Sequence, residues 1–216
     1  MKAILFDLDN TLYPREKDLF ALIDVRINRY MEEIVAIDPQ AVDGLRRRYW
    51  KDYGATLQGL IRHHGVNPED YLDYVHAVDV ASRLSCDLRL QSVLAGLPAP
   101  SYVFTNGSRD HADRVVNALG LDGLFVDVFD IRIDNYQPKP NPGPYHKVLT
   151  QLQLTGEQCV MVEDQPQNLQ TAKQLGMKTV LVGPQDMQNS FDFVDAWIRE
   201  PADIAGLLGI WAGAAG

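Results

Sequence analysis

Cysteine is scarce in this chain, and so is positive charge. Cys86 and Cys159 are the two cysteines among 216 residues; they have no C-x-x-C spacing and cannot build a disulfide framework. Lys and Arg number 20 against 29 Asp and Glu, a formal net charge of −9, which excludes the class of proteins that track a nucleic acid polymer with a basic field. Long apolar runs are missing too. Ile204 to Gly216, the longest uncharged apolar stretch, is rich in glycine and too short to span a bilayer, and Ala3–Phe6 ahead of Asp7 falls short of a signal-peptide core. There is no internal repeat, low-complexity linker or long block of like charge. These absences lead us to expect a soluble protein of the reducing cytoplasm, with neither membrane nor nucleic acid polymer as partner.

What is present suffices for a packed core: 46% of the residues are hydrophobic and 23% charged. The length suits one large domain or a domain with a smaller insert. Four short apolar runs, Ala3–Phe6, Tyr102–Phe104, Val160–Val162 and Thr179–Val182, read as parallel strands buried on both faces, with Val126–Ile131 a weaker fifth. Helical patterns lie between them. Ala112, Val115, Val116 and Leu119 precede Gly120, and Leu169, Ala172 and Leu175 precede Gly176, each glycine reading as a C-terminal cap. Strand and helix in alternation predict an α/β fold, a parallel sheet covered on both faces.

From about Pro14 to Asp87 the rhythm changes and no strand pattern occurs. Leu19, Ile23, Ile27 and Met31 form one face of an amphipathic helix. Asp38-Pro39 and Asn67-Pro68 each pair an N-cap with proline at the first helical position, and Gly65 closes a helix through Leu57, Leu60 and Ile61. The expected organisation is a catalytic core of residues 1–14 and 88–216 with a helical insert of about four helices over 15–87, hinged near Pro14 and Asp87.

Polar residues gather where the strands end. Asp7 and Asp9 follow the first, Thr105-Asn106-Gly107 the second, and Glu163-Asp164 the strand at 160–162, with Asn168 four residues on. Lys139 stands alone in Gln137-Pro138-Lys139-Pro140, an extended frame because residues before proline avoid the helical region. In open α/β sheets ligands bind beyond the carboxyl ends of the strands. By itself Asp7-x-Asp9-x-Thr11 reads as a capped turn; the four clusters together read as chemistry. Carboxylates Asp7, Asp9 and Asp164 at one sheet edge repel, at about 4 kcal/mol for unit charges about 4 Å apart and an effective dielectric near 20. A hard divalent cation relieves that, and oxygen ligands beside a phosphate-bearing substrate suit Mg²⁺. Asp7 is then the candidate nucleophile toward phosphorus and a metal ligand. Asp9 is the candidate acid and base, Thr105 and the adjacent amide hold phosphoryl oxygens, and Lys139 offsets the charge on Asp7.

Asp7-Leu8-Asp9-Asn10-Thr11, Thr105-Asn106-Gly107, Lys139-Pro140 and Glu163-Asp164 resemble the four motifs of the haloacid dehalogenase (HAD) superfamily over essentially the whole chain. That resemblance implies a Rossmann-like core, an inserted four-helix cap, and a phosphoaspartyl intermediate with Mg²⁺. It also implies that Asp7, the backbone carbonyl of Asp9, and Asp164 hold the metal, that Glu163 holds metal-bound water, and that Asn106 and Gly107 join Thr105 in binding phosphate. Two positions depart from the usual pattern. Asn168 makes an outer contact neutral where a second acid is often found, and Gln165 replaces a small residue, a change expected to affect the loop rather than the ligands. Arg48 to Leu60, Leu12-Tyr13-Pro14 and Lys139-Pro140-Asn141-Pro142 resemble the pyrimidine 5′-nucleotidase branch, which has a helical (C1-type) cap.

Other residues carry blander alternatives. Tyr53 and Thr56 line a nucleobase pocket, or else Gly54 simply breaks a helix and Tyr53 packs beneath it. Arg46-Arg47-Arg48 attract an anionic substrate or, as the preferred reading, fan out around a helix and make a solvated face; His63-His64 lack the i,i+4 spacing of a helical metal pair; and His111, close behind the second cluster, touches substrate or, as the preferred reading, starts a helix. Cys159 is a small core residue, and Trp197 and Trp211 dock onto the core. The expected activity is Mg²⁺-dependent hydrolysis of nucleoside 5′-monophosphates, pyrimidine ones preferred. The alternatives are a phosphatase for another metabolite such as a sugar phosphate, a dehalogenase, a phosphonate-cleaving enzyme using Lys17 or Lys51, and a non-catalytic phosphate-binding protein. Asp9 argues against dehalogenation, because a halide leaving group needs no proton.

Overall fold

The structure is a computed structural model that describes residues 1–184 and 191–213. Among the described residues six strands form one parallel sheet: β1 (Ala3–Phe6), β2 (Ser101–Phe104), β3 (Phe125–Phe129), β4 (Cys159–Glu163), β5 (Lys178–Val182) and β6 (Ala196–Ile198), in the order β3-β2-β1-β4-β5-β6. Side chains alternate across a strand, and here both faces are apolar. Ile4, Phe6, Val103, Val160, Val162 and Val180 face α5 (Leu88–Ala95), α6 (Arg109–Ala118) and α9 (Ile204–Gly213). Ala3, Leu5, Phe104, Cys159, Met161 and Leu181 face α7 (Pro142–Leu152) and α8 (Pro166–Gln174) on the other side. The result is a Rossmann-like layered core. The chain crosses from the β3 edge back to β4 beside β1, so the two middle strands flank the switch point where such sheets bind ligands.

The strand expectations at 3–6, 102–104, 160–162 and 179–182 hold within a residue or two, but the fifth strand ends at Phe129 and Ile131 opens a single turn of 3-10 helix. The short β6 had no sequence signal; pairing with Val180–Val182 makes it a strand. Trp197 lies within it and donates from Nε1 to the Pro184 carbonyl at 3.2 Å, and Trp211 packs on the core beneath the Lys178 ammonium. Gly120 and Gly176 take positive φ after α6 and α8, as their cap reading requires.

Four α-helices fill the stretch after β1: α1 (Leu19–Arg29), α2 (Pro39–Tyr53), α3 (Thr56–His64) and α4 (Pro68–His76). The Asp38 and Asn67 side chains cap α2 and α4, each accepting a main-chain N–H two residues on, at 2.9 Å. The block has its own core, centred on Ile23, Met31, Val42, Tyr49, Leu60, Leu72 and Val75, into which Ile131 reaches from the sheet side. Met31 lies two residues past α1, in a short π-helical segment that continues it. Arg132, after β3, pairs with Glu69 of α4 at 2.5 Å, and Arg114 of α6 donates to the His76 carbonyl at 2.7 Å, which ties the block over the strand ends. No helix among the described residues is long and apolar enough to cross a membrane.

Candidate active site

The four sequence clusters converge at the carboxyl ends of β1, β2 and β4. Lys139 is their centre: buried, its ammonium donates to Asp7 Oδ1 at 2.8 Å, to Glu163 Oε2 at 2.8 Å and to the Phe104 carbonyl at 2.7 Å. These three bonds use every hydrogen of the ammonium. The other Asp7 oxygen accepts from the Thr11 hydroxyl at 3.1 Å. Asp7, Glu163 and Asp164 are all buried, and each offers a carboxylate oxygen within 4.8 Å of the others.

That crowding shows in the protonation equilibria. Burial, with Asp164 nearby, pushes Asp7 up to about 6 despite Lys139. Glu163 is pushed well above the carboxylate range by burial and by Asp7. Burial pulls Lys139 down, and the Asp7 and Glu163 carboxylates outweigh it and raise the ammonium above its usual range. One ammonium cannot neutralise three buried acids. Three hard oxygen donors in this state fit a hard divalent cation.

Asp9 sits apart from the trio. Its Oδ1 accepts from the Tyr13 hydroxyl at 2.5 Å and faces His111 Nε2 at 2.8 Å. Burial pulls its carboxyl upward, and the His111 and Tyr13 contacts outweigh that and hold it below the usual range. The Thr105 hydroxyl accepts from the Gly107 N–H at 2.9 Å, which leaves its own hydrogen to donate. Asn106 is turned to Lys139: its Nδ2 donates to the Lys139 carbonyl at 3.0 Å and its Oδ1 accepts the Lys139 N–H at 2.7 Å. The side chain expected at the phosphate therefore clamps the backbone that carries the lysine.

Gln165 does more than shape the loop, which corrects the sequence expectation. Its Nε2 donates to Asp164 Oδ2 at 2.9 Å and its main-chain N–H to Glu163 Oε1 at 3.2 Å, because its side chain is long enough to fold back. Asn168 is buried in the first turn of α8, and its carbonyl accepts from Tyr145 at 2.8 Å. Sequence reasoning missed Arg15, exposed yet 2.6 Å from Asp164, and it missed the rings around Asp9. His111 does stand in the first turn of α6, where its N–H donates to Ser108, but its ring reaches Asp9. A signal was available: His111 lies six residues past Thr105, at the start of the helix that leaves the same sheet edge.

Above this floor opens a cavity of about 870 Å³ walled by the helical block. Trp50, Tyr53, Thr56, Leu57, Tyr71 and His76 line it together with Asp7, Asp9 and Thr105. Gly54 ends α2 at φ 84° and packs on Pro138 and Pro140, so the chain turns tightly against the loop that carries Lys139. Tyr53, half-buried, bonds His63 through its hydroxyl at 2.8 Å. His63 and His64 are exposed, and Arg46 pairs with Asp24 while Arg48 points toward Asp52, so the arginines diverge. Arg46 is half-buried, however, and lines the cavity together with Arg47, which corrects the expectation of a wholly solvated face.

A family model described as haloacid dehalogenase-like hydrolase matches residues 1–176. The chain belongs to that family. Among its relatives, Phosphate metabolism protein 8 of Saccharomyces cerevisiae is 26% identical over 204 residues, 87% of this chain and 63% of the yeast protein. The present chain thus spans less than two thirds of that relative's length. Phosphoglycolate phosphatase of Rhodospirillum rubrum is 29% identical over 201 residues, 84% of this chain and 79% of the relative. The crystal structure of 2-haloacid dehalogenase from Pseudomonas syringae superposes with a TM-score of 0.63 at 21% identity, covering 98% of this chain and 99% of that one, a likeness of fold.

Proposed function

We propose that this HAD hydrolase is a Mg²⁺-dependent phosphomonoesterase working through a phosphoaspartyl intermediate, with nucleoside 5′-monophosphates, pyrimidine ones preferred, as substrates. The observation that carries the reading is the pairing of two differently treated aspartates at one sheet edge. Asp7 is crowded by acids around one ammonium, and Asp9, two residues on, is held by separate donors. Asp7 attacks phosphorus, forming one P–O bond as the bond to the leaving alkoxide breaks. Asp9, ionised in the free protein, takes up a proton that arrives with the phosphate monoester monoanion, gives it to that alkoxide, and then takes one from the water that frees the phosphate. Thr105 donates to a phosphoryl oxygen, and Lys139 holds Asp7 and Glu163 in place. HAD hydrolases generally use Mg²⁺. Asp7, Asp164 and the Asp9 carbonyl would hold it, with Glu163 behind, and when bound it supplies positive charge to the phosphoryl oxygens.

Residues 15–87 act in this reading as a cap that excludes bulk water from the core of residues 1–14 and 88–216. Support for a nucleotide comes from the cavity, whose 870 Å³ and aromatic wall at Trp50 and Tyr53 suit a base and ribose. A phosphatase for a smaller metabolite is the second reading, favoured by the name of the R. rubrum relative. Purified protein is assayed with p-nitrophenyl phosphate in Mg²⁺ and then EDTA, followed by UMP, CMP, dUMP, dTMP, AMP and sugar phosphates. Metal-dependent turnover with the highest kcat/KM on a pyrimidine nucleotide is expected. Turnover that is absent in Mg²⁺ sinks the phosphatase, and a sugar phosphate or purine nucleotide ahead of every pyrimidine sinks the narrower assignment.

A further inference from the structure

Both donors to Asp9 meet on one of its oxygens. The Tyr13 hydroxyl and His111 Nε2 lie at 2.5 and 2.8 Å from Oδ1, and among the described residues nothing bonds Oδ2. The His111 ring is wholly buried, and its other nitrogen, Nδ1, has no hydrogen-bond partner among the described residues. Buried polar atoms are paired in the great majority of cases, and the one side-chain bond this ring makes is to Asp9. The ring's orientation therefore rests on Asp9 and on what lies against its face. Against that face lies His76 of α4, stacked with a centroid separation of 4.6 Å and an interplanar angle of 8°. His76 is itself set by Ser108 Oγ, 3.0 Å from its Nδ1.

We propose that His111 is a positioning residue for Asp9: with Tyr13 it pins Oδ1, so that Oδ2 alone is presented for proton transfer at the leaving group, while His76 of the helical block backs the ring. The inference rests on the phosphatase reading above. A carboxylate free to turn about its terminal torsion offers either oxygen at the wrong distance, and misplacement of a reacting group by about 1 Å costs roughly 100-fold in rate.

The test exploits the leaving group. An alkoxide needs the proton that Asp9 supplies, whereas p-nitrophenolate leaves without it. The first-turnover rate is measured on p-nitrophenyl phosphate and on whichever of UMP and β-glycerophosphate the unaltered protein turns over faster. For H111A the alkyl phosphate is expected to slow about 100-fold and the aryl phosphate less than about 5-fold, with KM changing less than about 3-fold. H111Q, whose amide nitrogen reaches the place of Nε2, is expected to recover the alkyl rate to within about 5-fold, and H111N, which is shorter, to stay slow. Thermal unfolding reports whether H111A is folded; if it is not, H111Q against H111N decides. Equal slowing on both phosphates, an unaffected alkyl rate in H111A, or equal rates in H111Q and H111N overturns the inference while leaving the phosphatase reading intact. No Mg²⁺-dependent turnover of either phosphate by the unaltered protein overturns that reading, and the inference with it.

Discussion

The floor of the cavity and its wall are built on opposite principles. On the floor, Asp7, Lys139, Glu163 and Asp164 come from strand ends or the loop beside them and are buried; Lys139 ties Asp7 to Glu163, and Gln165 holds Asp164 beside them. On the wall, Trp50 is exposed, Tyr53 and Thr56 are half-buried, and Tyr53 makes its polar contact with His63 of the same helical block. Groups that react must be held to a fraction of an ångström, which a packed sheet does well. Groups that choose a substrate need only present a surface, and a helical insert can vary that surface without disturbing the sheet.

Four measurements break or sharpen the contrast. Asp7→Asn strikes the floor at the reacting atom; turnover should fall by about 10⁴-fold or more while the protein stays folded. A steady-state assay at saturating Mg²⁺ checks it, and residual activity near the unaltered level means the floor is not where the reaction happens. Lys139→Met removes the one ammonium shared by two buried carboxylates, which should cost about 3–5 kcal/mol of stability in urea unfolding. A loss under about 1 kcal/mol means that the acids relax without it and the floor is less rigid than its bonds suggest.

His76 tests the seam between the two regions. Burial and the adjacent His111 lower it from the usual 6.5 to about 3, so between those values the unfolded chain binds a proton that the folded chain does not. Stability then rises with pH across that window and is lost as pH falls below 6.5, by up to about 1.4 kcal/mol per pH unit for one proton. His76→Gln should flatten the change in Tm between pH 7 and pH 5; an unchanged slope shows that the ring is solvated and the seam open. The smallest effect is expected on the wall. Tyr53→Phe and Thr56→Ala should raise KM about 3–10-fold for the best substrate and leave kcat within about 3-fold. A kcat that falls as far as KM rises removes the distinction between floor and wall.

Much of the floor was legible in the sequence because its residues follow apolar strands directly: a strand that is apolar on both faces must be central, and its polar terminus must emerge at the sheet edge. Lys139 stood out as an isolated charge in a proline frame. The helical caps were legible too, since Asp38, Asn67, Gly65, Gly120 and Gly176 do their work within a turn of chain. The rest depended on distance in sequence. Asn106 reads as a phosphate contact by its place in a motif, and only the approach of the loop carrying Lys139, 33 residues away, turns it into a clamp. Gln165 reads as a loop residue until Asp164 and Glu163 are seen within reach of its amide and backbone. His76 and His111 lie on separate helices and give no local sign of stacking. Arg15 looks like an ordinary surface cation nine residues past β1, and it meets an acid 149 residues away.

Sequence alone determined that an acidic, cysteine-poor chain alternates buried strands with helices, interrupts them once with a helical insert, and carries carboxylates where strands end. These are local consequences of periodicity, capping and the exposure of strand termini. Only the tertiary structure decided how the carboxylates divide. Asp7 and Asp9 are two residues apart in a single turn, yet one is crowded by acids around a buried ammonium and the other is held by a phenol and an imidazole. The physical reason is that a carboxylate's chemistry is set by its neighbours' charges, donors and exclusion of water, and here those neighbours arrive from β4, α6 and the loop at Lys139, whose positions no local pattern encodes.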